Sequence, residues 1–290
     1  MSLRNLTLVL IVAIGGSLAL TGQEAKPLDL TALKGGEEVS FEIADGVKMV
    51  FCWIPKGKAT LGSPETEENR NYDETERQFS TEGFWLAKTE CTQKEWQSAM
   101  GDNPSFFSAM GEGKAKVQGL DTSDFPVENV SWDKTQIFMK KLGARDNVTK
   151  VFGKASNFQL PHEDQWEYAY RGGKGNRQAF YWGDKLNGDK ANTNGNDYAY
   201  RIGTKGANLE RTTTVGSYAK LAGHAWGLQD MSGNVAESCD NLFNDQHKGR
   251  VVRGGSWHHN SEGCRAAYRR YGAPAHSSSY VGFRVCVILK

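Results

Sequence analysis

The side chains best suited to chemistry fall in two short runs of this 290-residue chain, WGLQDMSGNVAES (Trp226 to Ser238) and RGGSWHHNSEGCRAAYRR (Arg253 to Arg270). The second run holds an adjacent histidine pair, His258 and His259, followed by Cys264. Imidazole and thiolate are both competent transition-metal ligands. The pair equally suits two polar loop residues after a core Trp257, and both readings stay open. The first run places Asp230 and Glu237 on either side of Gly233.

Several chemistries find no support. None of the five cysteines (Cys52, Cys91, Cys239, Cys264, Cys286) makes a C-x-x-C pair, which argues against a zinc knuckle or a thioredoxin-like site. No G-x-S-x-G nucleophile elbow occurs, and Arg253-Gly254-Gly255-Ser256 has neither the spacing nor the following helix of a phosphate or dinucleotide loop. Lys+Arg 35 against Asp+Glu 34 gives a net charge of +1, so no global field draws the chain to nucleic acid or to an anionic membrane.

The elements that must position these residues are short. With 33 Gly, 38% hydrophobic residues and eight Trp, the composition predicts a folded, loop-rich domain rather than a helical bundle. The apolar run from Leu6 to Leu20 after Arg4 reads as a cleaved export signal over residues 1–25. A retained membrane anchor is the alternative. Residues 26–46 read as a lead-in and 47–290 as the domain, exported to a periplasmic or secreted location, with the membrane involved only through the signal.

Val47 to Pro55 and Ala59 to Ser63 predict a hairpin turned at Lys56-Gly57-Lys58, and Phe84 to Cys91 predicts the next strand. Thr92 with Glu95 is a capping box for a helix reaching Met100. Ser131 caps a second helix with Trp132, Ile137, Met139 and Leu142 on its inner side. A third begins after Pro161, with His162 in the cap region, and stops at Gly172-Gly173.

The ordered series VKMVFCWIPKGKATLGS, WLAKTECTQKEW, PVENVSW, LPHEDQWEYAYRGG, FYWGD, ANTNG, WGLQDMSGNVAES, VVRGGSW, CRAAYRR and VGFRV resembles the sulfatase-modifying-factor family, whose founding activity is the formylglycine-generating enzyme. The resemblance runs from Val47 to Val287 and implies an α+β, loop-rich, C-type-lectin-like single domain with little regular secondary structure. In active members two cysteines bind copper(I) and oxidise a substrate cysteine; here the second corresponds to Cys264 and the first to His259. Ser256 corresponds to the serine of the substrate groove, beside Trp257 and His258, while the aromatic residue that lines the groove is replaced by Ala236. Relatives that use non-haem iron carry an H-x-x-x-H-x-E pattern, which this chain lacks.

The resemblance also implies calcium, through side-chain oxygens of Asp230 and Glu237 and carbonyls of Gly233 and Val235, with Asn192 matching one ligand of a second site. It places Cys239 near Cys264 and Cys52 near Cys286, so both pairs are candidate disulfides, with Cys91 left as a buried thiol. Two functions follow. One is an oxidase acting on a protein or peptide cysteine through Cys264, His259 and Ser256. The other is a non-catalytic, calcium-stabilised binding or scaffold module with an envelope partner.

Overall fold

The computed structural model describes residues 32–153, 156–173 and 175–289. The expected export signal lies outside the described residues. Among them, no helix is long and apolar enough to cross a membrane.

Five strands form the main sheet in the order β1-β2-β3-β9-β4: Glu38–Ala44, Val47–Leu61, Arg77–Ala87, Cys286–Ile288 and Asn157–Gln159. Its residues alternate strictly between two cores, as the two-residue pleat requires. Phe51, Trp53, Trp85 and Val287 face one core, where Phe41, Phe138 and Phe283 also pack. Cys52, Ile54, Phe84, Leu86 and Cys286 face the other, against Trp166, Tyr168 and Tyr170. The sheet is therefore a central wall with apolar packing on both sides.

The hairpin expected at Lys56-Gly57-Lys58 does not form. β2 runs straight through these residues and pairs with β3 from Phe51 to Leu61. Gly57 is there for room, since a Cβ would sit 2.3 Å from the hydroxyl oxygen of Tyr168. The tight turn lies earlier, at Asp45-Gly46, with Gly46 at φ 71°, and it joins β2 to β1. The expected lead-in thus contributes a strand whose Phe41 and Ile43 are buried.

The helices start where the caps indicate. Helix α1 (Gln93–Met100) has the full Thr92/Glu95 box, and α2 (Trp132–Gly143) is capped by the Ser131 hydroxyl. The inner face of α2 is made by Thr135, Phe138, Met139 and Leu142, whereas Ile137 is 51% exposed. Phe138 stacks on Trp96 with ring centroids 5.4 Å apart, and that stack sets the helix's rotation. A short α3 (Asp146–Phe152) was not legible as a helix, having only seven residues and no side-chain cap bond. In α4 (Glu163–Arg171), His162 Nδ1 accepts from the Asp164 amide and Gln165 Oε1 accepts from the His162 amide.

A second sheet has the order β7-β6-β5-β8, formed by Arg270–Gly272, Arg250–Arg253, Ala236–Leu242 and Val281–Gly282. One face carries Cys239 and Val251 into the core shared with β2 and β3.

The rotation of α2 is testable by urea denaturation. Phe138→Ala is expected to cost about 3–5 kcal/mol, and Ile137→Ala to stay within about 0.5 kcal/mol; equal losses would contradict this packing.

Candidate functional site

The second sheet positions the candidate residues through its pleat. Glu237, Cys239, Val251 and Arg253 point to the core, so Ala236, Ser238, Arg250, Val252, Arg270 and Gly272 take the opposite face. The ladder aligns Ser238 with Val252 and Val252 with Arg270, and Arg250 with Gly272. This face forms the floor of a cavity of about 170 Å³, which Trp132, His259, His276 and Tyr280 help to line.

His259 opens onto this groove, and its Nδ1 lies 2.7 Å from Ser256 Oγ. Burial, then the neighbouring charges of Arg270 and His258, lower the imidazole pKa to about 3, leaving a neutral ring at any physiological pH. Ser256 is fully buried, with its hydroxyl held between His259 and the amide of His258. His258 stacks on Tyr280 at 5.3 Å, and Trp257 donates from Nε1 to the Ser279 carbonyl at 3.0 Å. None of Ser256, Trp257 or His258 lines the cavity.

Cys264 sits behind the groove rather than in it. It packs with Phe180, Leu186 and Tyr200, its thiol donates to the Asn260 carbonyl at 3.7 Å, and burial pushes its pKa up to about 12. His259 and Cys264 therefore do not face one common cavity. A copper ion held by both would require Cys264 to leave its apolar cluster and ionise, so the residues present do not fit that ion in this arrangement.

The two expected disulfides are also absent from the fold, because all five cysteines are buried free thiols. Cys239 belongs to the core between the sheets, its thiol directed at the Glu237 carbonyl, and Cys264 belongs to a separate cluster. Cys52 pairs with Leu86 and Leu86 with Cys286. With β3 between them, these cysteines are two strand spacings apart, roughly 10 Å, beyond the ~7 Å a disulfide spans.

The acidic loop is neutralised from within the chain. Arg284 donates to both oxygens of Glu237, at 2.6 and 2.7 Å, and Trp166 Nε1 donates to the same carboxylate at 2.7 Å. Asp230, at φ 52°, accepts from the Gly216 amide. Beside it is Glu90, fully buried and with no donor to either oxygen; burial and then the charge of Asp230 keep it protonated well above the carboxylate range. Glu237 thus does not fit a calcium ligand while Arg284 holds it. Asn192 does: its Oδ1 is buried without a partner, as are the hydroxyls of Thr193 and Thr212, all hard oxygens.

A family model described as the sulfatase-modifying factor enzyme 1-like domain matches residues 43–288. The chain belongs to this family. It is 28% identical over 219 residues to the bovine (Bos taurus) formylglycine-generating enzyme, covering 68% of this chain and 54% of that protein. To a bovine protein named inactive C-alpha-formylglycine-generating enzyme 2 it is 30% identical over 170 residues, 56% of this chain and 50% of the other. The chain thus spans about half the length of these relatives. It also matches a "Chaperone protein LppX" of Paenibacillus barcinonensis at 27% identity, with 63% and 72% coverage. Among solved structures, Treponema denticola variable protein 1 superposes with a TM-score of 0.66 at 23% identity, over 86% of this chain and 98% of that one. PvdO from Pseudomonas aeruginosa gives 0.64 at 21%, with 89% and 100% coverage. The fold is the α+β, lectin-like one that the motif order implied.

Sequence reasoning about the family's site passed over Arg250, Arg270, Tyr280 and Trp132. The R-V-V-R alternation of Arg250 to Arg253 marks Arg250 and Val252 as one face, and that was the available signal. Glu128 was missed as well. Its Oε1 accepts from the Phe107 amide at 2.8 Å, and Phe107 packs edge-on to Trp257 at 5.2 Å. Burial raises its pKa to about 8.

Because this folded value exceeds the ordinary one, the native state binds more protons between pH ~4.3 and 8, and the contribution is lost as pH rises through that window. Thermal melts should show wild type losing stability from pH 5 to 8 faster than Glu128→Gln, by at most about 1.4 kcal/mol per pH unit. Parallel curves would refute the assignment.

Proposed function

We propose that this chain is an exported, non-catalytic member of the sulfatase-modifying-factor family that binds a protein or peptide segment in the groove beneath His259. The observation that carries this reading is that His259 lines the groove while Cys264 packs in an apolar cluster. His259 faces the groove as a neutral imidazole, while the Cys264 thiol is protonated inside an apolar cluster. Thiolate chemistry needs the anion, and among the described residues burial outweighs the backbone amides of Gly233 and Ser256 that would favour it.

Ala236 supports the same reading. A methyl group at the groove floor leaves room that an aromatic ring would fill, which suits holding a side chain rather than clamping a reacting cysteine. The chain is similar to one protein named as inactive and to another named as a chaperone, so a binding role has precedent among similar chains. Calcium belongs to the proposal as a stabiliser near Asn192, where the unpartnered oxygens lie, and not at Glu237.

Oxygen uptake with copper(I) and a cysteine-containing peptide is expected to stay at the protein-free rate, and Cys264→Ala should leave it unchanged. Uptake that requires Cys264 would establish the oxidase instead. Calcium is expected to raise the melting temperature of wild type and of Glu237→Gln but not of Asn192→Ala; the reverse pattern would return the ion to the acidic loop.

A further inference from the structure

The groove is one-sided in charge. Arg250 and Arg270 lie on its floor with His259 and His276 around them, and among the described residues no aspartate or glutamate lines it. This is not a reflection of the whole molecule, whose formal charge is +1.

Both arginines have unspent donors. The guanidinium of Arg250 stacks over Trp132 at 3.8 Å from the ring centroid, and its Nη1 donates to the Asp240 carbonyl. Its Nε is enclosed and has no partner. A buried donor left unmatched is costly. Arg270 is exposed on edge strand β7 and, among the described residues, makes no ion pair. Elsewhere this chain pairs its arginines closely: Arg253, Arg265, Arg269 and Arg284 each hold a carboxylate within 2.8 Å. Arg250 and Arg270, like Arg70, Arg145 and Arg211, have no such carboxylate among the described residues.

We propose that the groove recognises a carboxylate, supplied by a peptide, between the guanidinium groups of Arg250 and Arg270, with Trp132 and Tyr280 packing its neighbouring side chain. This rests on the binding role proposed above and adds the ligand class. A planar guanidinium pair matches carboxylate geometry. The cavity of about 170 Å³ accommodates one side chain rather than a folded domain. The arginines belong to adjacent strands of one sheet, so the spacing of their backbone positions is fixed by the β6–β7 ladder.

The test is selection of displayed random heptapeptides on the immobilised full chain. Bound peptides should be enriched in Asp and Glu at least about threefold over the unselected library, and the enrichment should vanish on Arg270→Gln and persist in part on Arg270→Lys. Arg270 lies at an exposed strand edge, so circular dichroism of the variant should match wild type. If that variant fails to fold, acidic enrichment in wild type must instead fall between about 0.05 and about 0.5 M salt.

A selected peptide is then made with free and amidated carboxyl termini. Loss of roughly tenfold in affinity on changing its Glu to Gln identifies a side-chain carboxylate, and a similar loss on amidation identifies the terminal one. Either outcome supports the proposal. Peptides retained without acidic preference, or with the same preference on Arg270→Gln, overturn it while leaving the binding role intact. Retention of no peptide overturns the binding role itself.

Discussion

Buried arginine–carboxylate pairs hold the molecule together where secondary structure does not. Arg253, Arg265 and Arg284 are fully enclosed. Arg284 joins the turn before β9 to β5 through Glu237, and Arg253 joins β6 to α4 through Glu167. Arg265 ties the loop after Cys264 to the remote loop carrying Glu67 and Glu74. Glu167 is the densest node, accepting from Arg171, Arg253, Arg77 and the Gly62 amide. Burial alone would raise its pKa, but the surrounding arginines hold it below the ordinary carboxylate range. Ion pairs of this kind gain little net free energy against apolar replacements, yet losing one partner strands a buried charge. They act here as positional constraints on long loops that have few ladder bonds of their own.

That constraint determines what the site can be. Because Glu237 is spent on Arg284 and Trp166, the loop from Asp230 to Glu237 has no free negative charge at that end. Because Arg265 anchors the chain just after Cys264, the thiol is held inside the cluster with Phe180 and Tyr200. The His259 side of the same loop is left facing the groove. The imidazole thus lines the groove while the thiol packs in the apolar cluster.

Legibility from sequence follows the range of the forces involved. Local signals were readable: Thr92 with Glu95, Ser131 and His162 all cap helices, because a cap is decided within four residues. The family and its fold were readable from ten motifs in order. Long-range choices were not. Lys56-Gly57-Lys58 looks like a turn, but Tyr168, over a hundred positions later in the chain, makes that glycine a packing site in an unbroken strand. Ile137 and Phe138 are both apolar, and only the Trp96 stack decides which faces in. The proposed Cys52–Cys286 pairing placed the terminal strands side by side, whereas β3 inserts between them. The groove was hidden for the same reason, since its floor takes two residues from each of three strands scattered over the last fifth of the chain.

The remaining step concerns charge. A chain with equal numbers of acids and bases, to within one, can still present a purely cationic cavity if its carboxylates are committed elsewhere. In this fold the structural pairs take up Glu67, Glu74, Glu163, Glu167 and Glu237, all on the core side of the sheets or in the loops they brace. The pleat of β6 then separates two arginines that are near neighbours in sequence: Arg253 turns inward to Glu167, and Arg250 turns outward to the groove. One has its charge cancelled and the other keeps donors to spare. The alternation that builds the core therefore also leaves the groove its unmet demand for an anion.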